Sequence, residues 1–498
     1  MKTPDQPDYV VAVVGCGAMG QGIAQVSAQG GMRTLLFDAR EGGAAHGRDQ
    51  ISKRLDRLVE KGRMGEAEVA EVLARLEPVE SLAGLASADA VAEAIFEDLD
   101  VKESLLRELE GVVSSDCLLA SNTSSIPLAS IARACEHRHR IAGLHFFNPV
   151  PLMKLVEVIR PAEASDEAIA NLMALGRRMT RTPVEVKDSP GFLVNMGGRA
   201  YTTEGLRLEH EGVARPEQVD AIMRDCWGFR MGPFELMDLT GIDVNFPVSN
   251  IVYNGYMQDP RIRTAPNHAA KFDAGQFGRK SGQGWFAYDG GKPSERPSPD
   301  FTTDALPVAE VRMAGQNPAL KAFCDEVGLK VGESGPVLAA PVGLDATSVA
   351  VSAKIDPKDL LCVDLSGDTS KRVTVMTAPG ADTAALASVA ATIITSGRAV
   401  TWINDSPGFV GQRMVAMVGN LGCYMAEIGL ASPEDIDTAM QLGLNYPHGS
   451  VAIVDQLGLA ATLRVLETAQ QITGEDRYRP TTWLRRRALL GLPIHTPN

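Results

Sequence analysis

One histidine and one glutamate lie within the otherwise apolar segment from Leu144 to Ile159. Burying either group without a partner is costly, so each is expected to satisfy the other. His145 and Glu157 are 12 residues apart, and the turn-forming Asn148-Pro-Val-Pro151 lies between them. If that turn closes a hairpin, the two side chains lie opposite each other. The carboxylate would then fix the imidazole tautomer, and the other ring nitrogen could act as a general base.

A glycine-rich loop precedes this pair in the chain. Gly15-Cys-Gly17-Ala-Met-Gly20 follows the apolar strand pattern YVVAVVG and opens a predicted helix. In a dinucleotide-binding loop, the first glycine allows a tight turn, the second lets the backbone approach the pyrophosphate, and the third lets the helix pack closely. This context favours dinucleotide binding over a glycine-rich turn of another α/β sheet. The expected cofactor contacts are Gly15, Gly17, Ala18, Met19, Gly20 and Asp38.

The acid that ends the next strand pattern bears on which dinucleotide binds. Asp38 would accept hydrogen bonds from a ribose 2′-hydroxyl and repel a 2′-phosphate, which selects NAD over NADP. Arg40 weakens that selection, because an arginine here can pair with a 2′-phosphate, although an exposed surface arginine is the favoured interpretation. The expected cofactor is NAD. The cofactor loop also favours a catalytic His145–Glu157 pair over a structural pair in a core.

The chain contains an internal repeat at a constant offset of 217 residues. Asp188-Ser-Pro-Gly-Phe recurs as Asp405-Ser-Pro-Gly-Phe, and PEQVDAIM from Pro216 matches PEDIDTAM from Pro433. Chance rarely keeps one register over so many positions, so we predict a duplication. Further matches in this register are KLVEV at Lys154 with KRVTV at Lys371, Gly232 with Gly449, Asp238 with Asp455, and Gly241 with Gly458.

Each copy of the repeat is expected to contain a sheet-rich part and a helical part. Strand and helix patterns alternate before residue 188, and the apolar spacing turns helical after Pro190. The predicted fold is an α/β Rossmann domain followed by an all-α domain, with the whole then duplicated in degenerate form. The predicted domains are 1–187 (NAD-binding), 188–290 (helical), 291–404 (reduced, Rossmann-like) and 405–498 (second helical). We call 1–290 the first copy and 291–498 the second copy.

Composition disfavours several other classes of protein. The 498 residues are 45% hydrophobic and 22% charged, which suits several globular domains, and the formal net charge of −14 disfavours nucleic acid. The 7 cysteines form no Cys-x-x-Cys pair and the 8 histidines lack ligand spacing, so neither disulfides nor a metal site is predicted. No signal-like N-terminus and no long apolar run occur, so we expect a cytoplasmic protein without a membrane partner.

Five segments of the first copy form a highly specific combination. They are Gly15–Gly20, Ser121-Asn-Thr-Ser-Ser125, His145-Phe-Phe-Asn-Pro149, Glu157 and Asp188-Ser-Pro-Gly-Phe-Leu-Val-Asn195. Together they resemble the 3-hydroxyacyl-CoA dehydrogenase family, closely over residues 9–290. The resemblance implies NAD-dependent oxidation of the 3-hydroxyl of a 3-hydroxyacyl-CoA thioester, or the reverse. The longer architecture is similar to bacterial members assigned to 3-hydroxybutyryl-CoA or 3-hydroxyadipyl-CoA, in β-oxidation of fatty acids or phenylacetate catabolism.

The resemblance implies a role for each matching residue. His145 would be the general base, and Glu157 would orient and charge-balance it. Ser124 and Asn195 would hydrogen-bond the reacting oxygen or the thioester carbonyl, although singly they could be a loop serine and a helix residue bonded to its own backbone. Four further residues match the family's cofactor contacts and would otherwise pass as surface or turn residues: Glu97, Lys102, Asn148 and Lys280.

The sequence departs from the family pattern at two places. Members use a serine and a lysine to bind CoA on the helical segment after the second strand; here Arg54 stands where the serine usually is, while Lys61 is present. Both could equally be solvated charges on an amphipathic helix. Met196 stands where an arginine usually follows the matching asparagine, which bears on local helix packing and on substrate preference.

The second copy is predicted to be non-catalytic. No glycine fingerprint occurs in residues 291–360, and the residues that the offset places on His145, Glu157 and Asn195 are Cys362, Thr374 and Gln412. Because many family members dimerise through the helical domain, this copy is expected to supply that contact within one chain. The chain would then be either a monomer with an internal pseudo-dimer or a homodimer.

Two other functions fit parts of the sequence. The first is an NAD-dependent dehydrogenase of a free hydroxy acid or sugar acid, although such enzymes often use a catalytic lysine in place of a His–Glu pair. The second is a non-catalytic nucleotide-binding relative, for which the altered second copy is a precedent within this chain. Acyl chain length, preference for a distal carboxylate and physiological direction are left open by the sequence.

Overall fold

The computed structural model describes all residues from Met1 to Asn498. Short turns and loops connect the strands and helices. The strands are β1 Val10–Val14, β2 Arg33–Phe37, β3 Leu76–Pro78, β4 Ala90–Glu93, β5 Leu118–Ser121, β6 Ile141–Phe146, β7 Leu155–Arg160, β8 Thr182–Lys187, β9 Tyr288–Asp289, β10 Lys292–Pro293, β11 Glu310–Met313, β12 Lys330–Val331, β13 Val337–Ala339, β14 Leu360–Val363, β15 Arg372–Met376 and β16 Ala399–Ile403.

The α-helices vary from single turns to 18 residues in length. They are α1 Ala18–Gln29, α2 Gly43–Glu60, α3 Glu66–Ala74, α4 Leu99–Glu110, α5 Leu128–Ala132, α6 Asp166–Arg178, α7 Val194–Gly197, α8 Arg199–His210, α9 Pro216–Trp227, α10 Pro233–Thr240, α11 Ile242–Gly255, α12 Pro266–Asp273, α13 Pro318–Val327, α14 Ala346–Ala353, α15 Thr383–Thr395, α16 Val410–Glu427, α17 Pro433–Leu444, α18 Val454–Leu457, α19 Leu459–Thr473 and α20 Thr482–Leu490.

The chain divides into two compact units that do not follow chain order. The first unit contains Met1–Met196 together with the distant segment Gly429–Leu444, which carries α17. The second unit contains Gly197–Ile428 and Asn445–Asn498. Each unit therefore joins segments that are far apart in the sequence.

The first unit is built on one sheet of 8 strands in the order β3-β2-β1-β4-β5-β6-β7-β8. Neighbouring strands are parallel except for β6 and β7, which are antiparallel. The central strand β1 reads VVAVV and is buried at every residue, as expected for a parallel strand covered on both faces. The strand order reverses at β1, and in such sheets ligands bind at the carboxyl ends of the strands beside this point.

Local sequence explains where the helices of this unit begin. The side chains of Asp98 and Ser165 accept hydrogen bonds from backbone amides in the first turns of α4 and α6. In α6, acids occupy the first turn and Arg177 and Arg178 the last, which complements the helix dipole. The apolar faces of α1, α2 and α6 pack with the sheet residues into one continuous core.

The second unit combines a helical region with a second sheet. Helix α16 is buried on nearly all sides and packs against α8, α9 and α19, so its polar side chains Gln412 and Arg413 are buried together with its apolar ones. The sheet has 6 strands in the order β12-β11-β13-β14-β15-β16. As in the first unit, an antiparallel pair, here β14 and β15, is followed by a parallel strand, β16.

A buried ion cluster joins distant helices of the second unit. Arg413 on α16 donates to Glu204 on α8, with Nε 2.9 Å from Oε1, and to the hydroxyl of Tyr478 at 2.6 Å. Arg477 lies 3.0 Å from the other oxygen of Glu204. Glu211 binds Arg413 at 2.9 Å. Because Glu204 and Arg413 are both fully buried, each depends on the other for charge compensation.

The structure confirms the predicted Rossmann-like parallel sheet, the helical region after Pro190 and a second sheet-rich region. No helix has the length and apolar character required to cross a membrane.

Candidate active site

The two residues singled out first by the sequence meet on adjacent antiparallel strands. His145 on β6 pairs directly with Glu157 on β7, which confirms the predicted hairpin register. The imidazole Nδ1 lies 2.6 Å from Glu157 Oε2, and the glutamate is fully buried. A carboxylate acceptor makes Nδ1 the donor, so Nε2 is the ring nitrogen that can take a proton.

The other oxygen of Glu157 is held by backbone amides. Oε1 accepts hydrogen bonds from the amides of Val194 at 2.8 Å and Leu193 at 3.2 Å. The preceding residue, Phe192, has a left-handed φ of 49°, an unfavourable conformation for a side chain with a Cβ. This turn directs two successive amides at the carboxylate, which balances its negative charge in a buried position.

The turn before these amides is anchored in the same unit. The carboxylate of Asp188 accepts hydrogen bonds from the amides of Leu128 at 3.0 Å and Ala129 at 2.8 Å, at the start of α5. Burial raises the pKa of Asp188, and these two hydrogen bonds oppose that effect. The Asp-Ser-Pro-Gly-Phe motif that begins at Asp188 therefore connects α5 to the turn whose amides bind Glu157.

Aromatic rings flank the imidazole. The ring centroid of Phe147 lies 4.6 Å and that of Phe192 lies 5.7 Å from that of His145. Directly after β5, Asn122 Oδ1 accepts the amide hydrogen of Phe146 at 2.8 Å. These contacts hold the end of β6 and limit the water around the His–Glu pair.

The serine-rich loop after β5 is organised by one carboxylate. Glu97 Oε1 accepts hydrogen bonds from Thr123 Oγ1 at 2.6 Å and from the amides of Ser124 at 2.9 Å and Ser125 at 3.1 Å. Burial raises the pKa of Glu97, but the Thr123 hydrogen bond and the Lys102 charge outweigh it, so the pKa lies below its ordinary value. Glu97 thereby fixes the position of Ser124.

Sequence reasoning missed the residue beneath this loop, Glu93. Its Oε1 binds Lys102 Nζ at 2.6 Å and its Oε2 accepts from Ser121 Oγ at 2.6 Å, and all three groups are buried. Lys102 Nζ also lies 3.4 Å from Glu97 Oε2, so both of its ion pairs are with carboxylates beneath the loop. A contact between Lys102 and the cofactor stays a prediction. The available signal was an acid at the carboxyl end of a parallel strand.

The glycine loop fits a dinucleotide. Gly15 has a φ of 95°, and a Cβ there would lie 2.6 Å from Ala94 O, while a Cβ at Gly20 would lie 1.7 Å from Gly15 O. Beside Gly17, by contrast, nothing lies within 4 Å of an added Cβ. Gly17 precedes the first turn of α1, where no side chain caps the helix. Ala18 and Met19 follow it, so exposed helix amides face the open space that a pyrophosphate needs.

Asp38 lies at the end of β2, as the sequence predicted. Its Oδ2 accepts the amide hydrogen of Cys16 at 2.8 Å, and its Oδ1 accepts from Arg40 Nε at 3.0 Å. Burial raises the pKa of Asp38, but the Arg40 and Cys16 hydrogen bonds outweigh it and the pKa lies below its ordinary value. The charged carboxylate suits a ribose diol, while 73% of the Arg40 side chain is exposed and free to move away.

The other predicted residues have the following surroundings. Arg54 on α2 donates to Gln25 Oε1 at 2.9 Å and Gln21 Oε1 at 3.1 Å, and Lys61 ends the same helix in an exposed position. Asn148 forms a cis peptide bond with Pro149. The roles of these residues stay predictions.

Three more residues complete the comparison with the sequence predictions. Asn195 belongs to α7 and directly follows the amides that hold Glu157. Lys280 belongs to the second unit, where its Nζ lies 2.6 Å from Asp243. Met196, which replaces the usual arginine, is fully buried. The roles of Asn195 and Lys280 stay predictions.

Comparison with protein families agrees with this site. The family domain described as 3-hydroxyacyl-CoA dehydrogenase, NAD binding domain, matches residues 10–189. The domain described as 3-hydroxyacyl-CoA dehydrogenase, C-terminal domain, matches residues 191–288 and 408–493. The chain belongs to the 3-hydroxyacyl-CoA dehydrogenase family.

Individual relatives are similar over most of their length. The chain is 37% identical to 3-hydroxyadipyl-CoA dehydrogenase of Escherichia coli (strain K12), over 96% of this chain and 97% of that protein. The crystal structure of 3-hydroxybutyryl-CoA dehydrogenase from Escherichia coli K12 is similar with a TM-score of 0.87 and 36% identity, over 97% of this chain and 98% of that one. A probable 3-hydroxybutyryl-CoA dehydrogenase of Bacillus subtilis (strain 168) is 37% identical, over 56% of this chain and 97% of that protein.

Proposed function

We propose that this protein catalyses the NAD-dependent oxidation of a (3S)-3-hydroxyacyl-CoA to the 3-oxoacyl-CoA, and the reverse reaction. The observation that carries the proposal is the 2.6 Å contact between His145 Nδ1 and a fully buried Glu157, in the unit that also holds the glycine loop. The substrates named for the relatives, 3-hydroxybutyryl-CoA and 3-hydroxyadipyl-CoA, define the acyl groups to test. The proposed location is the cytoplasm.

The residues of this chain divide the chemistry between them. His145 Nε2 removes the proton of the 3-hydroxyl, and the Glu157 carboxylate stabilises the imidazolium that forms. Ser124 and Asn195 hydrogen-bond the reacting oxygen or the thioester carbonyl. Glu97 holds Ser124 in place, and Asn195 follows the two amides that bind Glu157. NAD supplies the hydride acceptor when bound. Gly15–Gly20 and Asp38 hold its pyrophosphate and ribose, and Arg54 and Lys61 are the proposed contacts for CoA.

The proposal includes the duplicated architecture, with boundaries near residues 187, 290 and 404. Matching local geometry at the 217-residue offset supports it. Gly241 and Gly458 both join two helices with positive φ, at 92° and 89°. Asp188 binds the first amides of α5, and Asp405 likewise binds the amides of Ala346 at 2.7 Å and Thr347 at 3.2 Å, at the start of α14.

The pairing of segments within each unit supports an internal pseudo-dimer. In the first unit the amide of Lys187 donates to the carbonyl of Leu430 at 2.8 Å, and in the second unit the amide of Asn404 donates to the carbonyl of Val213 at 3.0 Å. These two bonds are related by the 217-residue offset at both ends. Each sheet therefore packs with a helical segment of the other copy. The chain is then either a monomer with this internal contact or a homodimer of such chains.

The function is tested with purified protein by following NADH absorbance in three separate reactions. Acetoacetyl-CoA and free acetoacetate are each tested with NADH, and a sugar acid is tested with NAD. We expect turnover of the CoA ester only. His145→Gln should lower kcat about a thousandfold, because it removes the general base. Cys362→Ser, at the equivalent position of the second copy, is the matched control and should retain activity.

Other outcomes identify the alternatives. Turnover of free acetoacetate or of the sugar acid, at rates equal to the CoA ester, would indicate a dehydrogenase of free acids. A protein that binds NADH but turns over none of the substrates would be a nucleotide-binding protein. Full activity of His145→Gln would overturn the mechanism.

A further inference from the structure

Helix α17 packs against the sheet that carries the His–Glu pair. It lies about 250 residues beyond that sheet in the chain, yet Gly429–Leu444 belongs to the first unit and α17 contacts β7 and β8. The helix begins at Pro433, where Ser432 Oγ accepts the amide hydrogen of Asp435 at 3.0 Å. The bond from the amide of Lys187 to the carbonyl of Leu430 fixes the segment just before it.

The other end of α17 meets the residues that hold the catalytic carboxylate. An added Cβ at Gly443 would lie 3.0 Å from Leu155 Cδ2 and 3.0 Å from Val194 Cγ2, whereas carbon atoms in contact are ordinarily about 3.5–4.0 Å apart. Leu155 is on β7, two residues before Glu157, and the amide of Val194 donates to Glu157 Oε1 at 2.8 Å. The helix thus approaches Glu157 through both of its supports.

We propose that Gly443 is a positioning residue for the catalytic carboxylate: its lack of a side chain allows Val194 to keep its amide on Glu157. The inference rests on the proposed function, because it requires Glu157 to orient His145. Val194 is buried and β-branched, so its side chain has one strongly preferred rotamer and cannot turn away from an added methyl group. Pressure on its γ-carbons is therefore transmitted to the backbone and lengthens the bond from its amide to Glu157.

The second unit has the opposite distribution of side-chain size at the corresponding helix end. The offset places Val194 on Gly411 and Gly443 on Cys226, and the residue after Cys226 is the bulky one: an added Cβ at Gly411 would lie 2.0 Å from Trp227 Nε1. In the first unit, the small residue is on the helix and the large one is on the turn that holds Glu157. The space at Gly443 therefore accommodates Val194, whose amide donates to Glu157.

The test is Gly443→Ala in the full-length protein, with acetoacetyl-CoA and NADH as substrates. We expect kcat to fall roughly tenfold while KM for both substrates changes less than about twofold, because the change displaces a catalytic support and leaves the binding surfaces intact. The free energy of unfolding should change by roughly 1 kcal/mol or less, since the higher helix propensity of alanine offsets part of the crowding against Leu155 and Val194. Gln441→Ala, on the exposed part of α17, is the matched control and should retain the wild-type kcat.

The double variant Gly443→Ala with Val194→Ala supplies a rescue. Removing the γ-carbons makes room for the new methyl group, so the double variant should recover most of the kcat lost by Gly443→Ala. A wild-type kcat for Gly443→Ala, an equal loss for Gln441→Ala, or no recovery in the double variant overturns the positioning role. If His145→Gln is inactive in the same assay, such a result rejects only this inference; if His145→Gln is active, the proposed function itself fails.

Discussion

Each of the two sheets contains one antiparallel strand pair, and only the pair in the first sheet places a histidine opposite a carboxylate. In the first, His145 pairs with Glu157. In the second, Cys362 pairs with Met376, and Asp364 faces Thr374 through a backbone bond of 2.9 Å. The strand register in the second sheet is therefore shifted by two residues relative to the first.

Polar residues of the second sheet region bind one another. Gln412 Oε1 accepts the amide hydrogen of Gly343 at 2.9 Å, and Gln412 Nε2 donates to Pro341 O at 3.1 Å and Asp364 Oδ1 at 3.0 Å. Burial raises the pKa of Asp364. This amide bridge spans the loop, strand and helix that carry Ser124, His145 and Asn195 in the first copy.

The turns that precede α7 and α16 also differ between the two regions. Phe192 has a φ of 49° and is followed by two amides that bind Glu157, whereas Phe409 has an extended backbone with a φ of −71°. Without a carboxylate at position 374, amides in that position would have no anion to stabilise. The second sheet region thus keeps a similar framework without the histidine and the carboxylate, because its buried polar groups are paired with one another.

The largest expected effect separates the two strand pairs by activity. Glu157→Gln should lower kcat about a thousandfold, or about 4 kcal/mol, because the imidazolium loses its buried counter-charge. Thr374→Val, at the equivalent position, should leave kcat unchanged. Steady-state kinetics with acetoacetyl-CoA and NADH measure both. Equal loss in the two variants would mean that the second region takes part in catalysis.

The next effect concerns the residue that follows Asn195 in the first copy and Gln412 in the second. Met196 stands at this position in the first copy, and the 217-residue offset places Arg413 there in the second. Arg413→Met should reduce the free energy of unfolding by about 3 kcal/mol, because it leaves Glu204 buried with only part of its charge compensation. Urea unfolding measures the change. Arg485→Met removes a largely exposed ion pair with Glu467 and should cost less than about 1 kcal/mol.

A smaller effect is expected at the amide bridge. Gln412→Leu should destabilise the protein by about 2 kcal/mol, since it leaves the amide of Gly343 and the carboxylate of Asp364 without this partner. Activity per folded molecule should not change. Thermal unfolding and kcat are measured on the same preparation. A loss of kcat without a loss of stability would contradict a purely structural role for this bridge.

The smallest effect concerns Arg40, which follows β2 in the first sheet. Arg40→Gln should change kcat/KM for NADH by roughly threefold or less, because the exposed Arg40–Asp38 pair contributes little. The ratio of kcat/KM for NADPH to that for NADH should fall, since the cation that can pair with a 2′-phosphate is gone. An unchanged ratio would show that Arg40 does not reach the cofactor. Fluorescence titration should give one NADH per chain.

Local sequence predicted the parts of the site that lie close together in the chain. The apolar run around His145 and Glu157 predicted a hairpin, and its register is confirmed because side-chain alternation and a central turn leave few alternatives. The glycine loop and Asp38 were equally readable, since strand, turn and helix follow one another directly. Glu93 was not identified, because an acid at a strand end does not reveal which lysine it will meet.

Residue types and spacing were sufficient to predict the candidate site, the dinucleotide loop and a repeat at an offset of 217 residues. The folded chain was needed to show that α17 joins the first sheet, that Gly443 meets Val194, and that Gln412 bridges to Asp364. This is because apolar periodicity indicates which face of an element is buried but not which element covers it. Contacts between distant segments are selected by shape and hydrogen bonding once the chain has folded.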